Sequence, residues 1–168
     1  MILQKKIKTI SFYQIIGGAI GLIFILYAVL FENITSIYTL VLSCFGILHA
    51  FSIFCGIYLL YKDLRKGILL SKISQCLQFI NFSILGYGFM FISGFSAGVG
   101  IDLSSNFLFR MWFNLSSSEL IINRDKDIIK IAINIFAIFI FITLHKIRKQ
   151  LDIKVLLEER MIDKLSDI

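Results

Sequence analysis

The chain has 168 residues, of which 58% are hydrophobic and only 17% charged, and its mean hydropathy is +0.87. A soluble domain runs near half apolar and a quarter charged, so this is the composition of a single-domain, multi-pass membrane protein. The net charge of +6 comes from basic clusters at the ends of apolar runs. The positive-inside rule explains these, which removes nucleic acid as a partner and leaves the lipid bilayer.

The first apolar run starts after Lys5, Lys6 and Lys8. It is too long for the core of a signal peptide, and no Ala-x-Ala-like site closes it, so it reads as a retained first span at about 10–31. Gly17 and Gly21 lie four apart, on the helix face where another backbone can approach closely. After a short turn around Glu32, a second span is expected at about 37–61. There Gly46 and Ala50 repeat the small-residue spacing. His49, midway along this span, is the one imidazole inside an apolar run. The basic loop Lys62-Asp63-Leu64-Arg65-Lys66-Gly67 ends the span and belongs on the cytoplasmic side.

Between Ile73 and Ile101 the sequence holds no charged residue, which predicts a third span at about 68–92. At about 100° per residue, Ser71, Ser74, Gln75, Gln78, Asn81 and Gly88 fall on one side. Lipid cannot satisfy those amides, so that side must face protein or water. Residues 93–127 change character. Phe107, Phe109, Met111, Phe113 and Leu115 alternate with Leu108, Arg110, Trp112 and Asn114, a period of two. The spacing predicts a small extracytoplasmic β-hairpin or meander. Phe107, Phe109, Trp112 and Phe113 form its candidate partner-docking strand. A fourth span is expected at about 128–147, with Lys130 snorkelling outward and Asn134 as its interior polar group. His145, Lys146, Arg148 and Lys149 stop it, and 148–168 reads as a cytoplasmic helical tail.

The fold expected from the sequence is therefore an all-α membrane protein. It has four transmembrane helices, the β insertion, a cytoplasmic C-terminal helix, and both termini cytoplasmic at a cell inner membrane. Depth arithmetic gathers His49, Gln75, Gln78, Asn81 and Asn134 into a candidate intramembrane polar cluster. It reads either as interhelical hydrogen bonding or as the lining of a path. No carboxylate lies in the four spans, and there is no nucleophile elbow, phosphate-binding glycine loop or zinc spacing. Catalytic residues, cofactors and metal are accordingly expected to be absent. The cysteines, Cys44, Cys55 and Cys76, all lie in apolar runs, where a structural disulfide is not expected.

The run Lys66-Gly67-Ile68-Leu69-Leu70-Ser71, with Gln75, Gln78, Gly86-Tyr87-Gly88-Phe89 and Ser93-Gly94, resembles a group of uncharacterised bacterial multi-pass membrane proteins. The resemblance covers roughly residues 37–145 and implies four spans, with no known activity to carry over. The functional expectation is a non-enzymatic scaffold or accessory subunit of a membrane complex, with a homo-oligomer or membrane protein as partner. The alternative is a small oligomeric transporter or channel lined by the polar face of the third span.

Overall fold

A computed structural model describes residues 2–31, 36–104, 107–122 and 127–166, with side chains placed except at 2, 156 and 158–166. The turn at 32–35, the turn at 105–106 and the polar hinge at 123–126 lie outside the described residues. The elements, in order, are α1 (Ile2–Phe31), α2 (Ser36–Tyr61), α3 (Leu64–Cys76), β1 (Ile80–Ile84), β2 (Tyr87–Asp102), β3 (Leu108–Ile121), β4 (Ile129–Asn134) and α4 (Ile135–Ser166).

Helices α1 and α2 form an antiparallel pair. A Cβ placed on Gly18 would meet Ile53 and the His49 carbonyl, and one on Gly56 would meet Ile15 and the Ser11 carbonyl. Backbones this close need glycine at the contact. These two helices are long and apolar enough to cross a membrane. Only 22% and 28% of their most apolar windows are buried inside the fold, so most of their apolar surface faces outward.

The all-α, four-span expectation is corrected by the structure. The third span does not form: α3 stops at Cys76 after 13 residues, and the chain turns into strand β1 at Ile80. The residues beyond Cys76 show why. Asn81 and Ser83 alternate with Ile80, Phe82 and Ile84, which is the period of a strand. The three-residue step from Gln78 to Asn81 imitates a helical stripe, but Leu85-Gly86 breaks it. With φ of 51° and 86°, these two residues form a two-residue hairpin turn of the type whose twist matches flanking strands. The fourth span also fails, because its first part, Ile129–Asn134, is strand β4. The β insertion expected at 93–127 is in fact a four-stranded antiparallel sheet reaching from residue 80 to 134.

The order of the sheet is β1-β4-β2-β3, with β1 also pairing β2. Its geometry follows from the registers. β1 runs antiparallel to the first arm of β2 (Phe82↔Phe89, Ile84↔Tyr87) and to β4 (Asn81↔Ala132, Ser83↔Lys130). β4 runs antiparallel to the second arm of β2 (Gly100↔Ala132, Asp102↔Lys130). Three reversals in sequence require the two arms of β2 to run in opposite senses, so β2 is folded back on itself. The fold lies at the register shift between Ile92 and Phe95, where Gly94 has φ 101° and Ser116 on the facing strand has φ 37°. A bulge with positive φ is the local device that bends a strand this sharply. β3 follows β2 through the bend, pairing with both arms. β2 and β3 thus make a folded hairpin, and β1 and β4 clasp its two arms into a pouch.

One face of the pouch rests on the helices. Tyr13 Oη donates to the Phe95 carbonyl (2.8 Å), Ser116 Oγ donates to the Gly17 carbonyl (2.7 Å), and Phe91 packs on the His49 ring. The basic ends of the helices gather away from the sheet, around a core of Ile7, Ile10, Leu59, Ile68, Leu144 and Ile147. Arg65 at the start of α3 pairs there with Asp152 of α4 at 3.5 Å.

Candidate functional site

The wall of the pouch is lined from every strand, at consecutive as well as alternate positions. From β3 it takes Arg110, Met111, Trp112 and Asn114, and beyond the irregularity at Ser116 it takes Glu119 and Ile121. The phenylalanines at the start of this strand are largely uncovered: Phe107, Phe109 and Phe113 are 70%, 64% and 66% exposed. A soluble sheet buries its apolar face and wets its polar one. Here the polar side chains of β3 line a half-open hollow, while its phenylalanines are uncovered.

The hollow is a half-open cavity of about 360 Å³. Glycines make room for it and for the one tryptophan of the chain. A Cβ on Gly98 would lie 2.5 Å from Trp112 Nε1, and one on Gly100 would lie 2.7 Å from its six-membered ring. The indole therefore lies flat on a glycine floor. Asn114 reaches across to the other arm, with Nδ2 3.9 Å from Met90 Sδ.

At one rim, Asp102 is buried and held by four groups. The Ser104 hydroxyl and backbone N–H donate to it at 2.6 and 3.1 Å. Arg110 and Lys130 approach its other oxygen at 3.3 and 3.7 Å. The two hydrogen bonds and the two cations together satisfy the carboxylate. The register explains the meeting: Lys130 pairs directly with Asp102, and Arg110 sits opposite Gly100 on β2. Glu119 stands on the opposite arm, opposite Met90, and makes no ion pair among the described residues. Between them on β1 is Asn81, 6% exposed, with neither its amide nitrogen nor its oxygen hydrogen-bonded. An unpartnered buried amide facing a cavity is a group placed for something to bind.

The residues singled out from the sequence are dispersed. His49 contacts β3, its Nε2 lying 2.9 Å from Ser118 Oγ. Gln78 supports the bend of β2: its Oε1 accepts from Ser93 N–H at 3.0 Å and its Nε2 donates to the Ser74 carbonyl at 3.1 Å. Gln75 is fully buried with both amide atoms unpartnered. Asn134 caps α4, its Oδ1 accepting from Ala137 N–H at 3.2 Å. Of the five polar residues, only Asn81 lines the cavity. Gly17 touches the Gly94 backbone and Gly21 the His49 ring, whereas a Cβ on Gly46 would meet nothing within 4 Å and Ala50 is exposed. Phe107, Phe109 and Phe113 face outward, while Trp112 faces the cavity. Lys130, expected to snorkel outward, turns toward Asp102 instead.

Sequence reasoning missed Asp102 and Glu119. The signal that finds them is the period of two, carried through the whole of 80–134 rather than 107–115 alone. Comparison with protein-family models, curated proteins and solved structures finds no match to this chain.

Proposed function

We propose that this chain is an integral membrane protein that binds a small polar solute inside the folded sheet. The observation carrying the reading is the inverted pattern of β3, apolar outward and polar inward. That is the arrangement of a sheet whose outside meets acyl chains and whose inside is wet. The helices fit the same environment. α1 and α2 cross the bilayer, with the basic ends of all four helices in the cytoplasm. At about 1.5 Å per residue, α3 rises about 20 Å from that side before the sheet begins, so the pouch lies in the far half of the membrane. These features support a transporter-like reading.

The test uses single cysteines in a background with Cys44, Cys55 and Cys76 changed to serine. Asn81→Cys should react with a small charged thiosulfonate in native membranes, and Phe113→Cys should not. A tryptophan moved outward (Trp112→Phe with Phe113→Trp) should be quenched by lipids with brominated acyl chains. An unreactive cysteine at 81 together with an unquenched tryptophan at 113 would sink the reading.

One observation favours a second reading, a scaffold that assembles with copies of itself. Among the described residues, β3 is the strand that pairs on one side only, and open edges are not tolerated in hydrocarbon. Antiparallel pairing of two β3 edges would close it. In the same cysteine-free background, Leu115→Cys near the middle of that edge should then cross-link between chains in the membrane. Its failure to do so at any oxidant concentration would remove this reading.

A further inference from the structure

The pouch walls carry charge at two separate places, and the two places have opposite surplus. At the first rim, two cations, Arg110 and Lys130, face one carboxylate, Asp102. Asp102 also takes two hydrogen bonds from Ser104, so its negative charge is spread over four partners. The side chains of Arg110 and Lys130 line the cavity and remain 57% and 47% exposed, which leaves N–H donors uncovered and one positive charge in excess. On the opposite arm, Glu119 supplies one negative charge with no cation against it among the described residues.

The register puts these rims across the pouch from one another. Ser83 of β1 pairs with Gly88 on the first arm of β2 and with Lys130 of β4, and Lys130 pairs with Asp102 on the second arm. Gly88 and Asp102 are thus three strand spacings apart around the wall, each about 4.8 Å. Arg110 and Glu119 flank them on the two arms of β3. Asn81 lies on the wall between the rims, offering a buried donor and a buried acceptor.

From this we infer that the cavity takes a small zwitterion. Its carboxylate is held at the Arg110 and Lys130 rim, its ammonium at Glu119, and its middle lies against Asn81 and Trp112. The inference rests on the solute-binding reading above and adds the class of solute. Four charges sum to zero on this wall, so a ligand of zero net charge with separated ends matches both surpluses. A simple anion leaves Glu119 uncompensated, and a simple cation leaves the Arg110 and Lys130 rim uncompensated. A ligand that covers one of these charges without pairing it removes water from that charge and offers nothing in return. The carboxylate would accept charge-assisted hydrogen bonds from guanidinium and ammonium, the stronger kind.

Trp112 is the one tryptophan of the chain and lines the cavity, so its emission reports occupancy without a label. The full chain in phosphatidylcholine nanodiscs is titrated with glycine, 3-aminopropanoate and 4-aminobutanoate. The comparison probes are butanoate, butylammonium and butanamide. At least one of the zwitterions should give a saturable emission change at a concentration about tenfold below every singly charged or neutral probe. Glu119→Gln should bring that zwitterion to the level of butanoate, and Arg110→Gln to the level of butylammonium. The wild-type comparison needs no substitution, so a variant that fails to fold does not obscure it. Equal or tighter binding of butanoate, butylammonium or butanamide overturns the zwitterion assignment while leaving a solute-binding pouch. Silence from all six probes with the cysteine at 81 still labelled overturns the assignment as well. Silence with that cysteine unlabelled overturns both the assignment and the reading beneath it.

Discussion

Gly17 on α1 and Gly94 on β2 meet backbone against backbone, and Ser116 joins them. A Cβ on Gly17 would collide with the Gly94 main chain. Ser116 Oγ accepts from Gly94 N–H at 2.9 Å and donates to the Gly17 carbonyl at 2.7 Å. The sharp bend of the sheet is therefore seated at the middle of the first helix. Gly17→Leu should lift the sheet off α1 and cost about 1–3 kcal/mol, the usual penalty for overpacking. Gly46→Leu should stay within about 0.5 kcal/mol, because nothing stands near that Cβ. Unfolding in mixed micelles, followed by Trp112 fluorescence, measures both; equal effects would refute the contact.

The hairpin between β1 and β2 places Leu85 at φ 51°. A leucine in the left-handed region costs about 1–2 kcal/mol, and glycine or asparagine does not incur that cost. Leu85→Gly should raise the midpoint of unfolding. Gly86→Val, at φ 86°, should lower it. A destabilising Leu85→Gly would show that the exposed leucine is held by something other than the turn.

His49 Nε2 and Ser118 Oγ pair across the α2–β3 contact, while His49 Nδ1 is buried without a partner. His49→Leu keeps bulk but strands the Ser118 hydroxyl, at a cost of about 1–3 kcal/mol. In a His49→Leu, Ser118→Ala double variant most of that loss should be recovered, because neither partner is then left unpaired. A double-mutant cycle on thermal midpoints reads the coupling; strict additivity would mean the bond contributes nothing.

Asp102 ties the rim together. Asp102→Asn should lower the thermal midpoint at neutral pH, because Arg110 and Lys130 then lose their counter-charge. A midpoint equal to that of the wild type would mean that the carboxylate contributes nothing to the rim.

How much of this the sequence carried depends on the element. The two long apolar helices were legible, since length and hydropathy are local properties that no tertiary contact needs to supply. So was the side of α3 that needs cover: Ser71, Ser74 and Gln75 lie at 100° steps and are fully buried. The alternation at 107–115 was legible too, but the docking set of Phe107, Phe109, Trp112 and Phe113 mixed two faces, since Trp112 lines the cavity.

The four-span reading failed where local pattern is ambiguous. Between Leu77 and Ile84 the same letters satisfy a helical stripe and a strand period. The choice falls to partners far away in sequence, Ala132 for Asn81 and Lys130 for Ser83. An apolar stretch without charge reads as a span because lipid and protein interior impose the same demand for backbone hydrogen bonds. A sheet meets that demand along each paired edge, as β1, β2 and β4 do, and leaves it open at the outer edge of β3. The sequence alone determined that this chain is rich in outward apolar surface and poor in buried charge. Only the tertiary structure decided that Asp102, Arg110, Lys130 and Glu119 share one cavity, because the bend at Gly94 and the clasp of β1 and β4 are long-range events that no local period encodes.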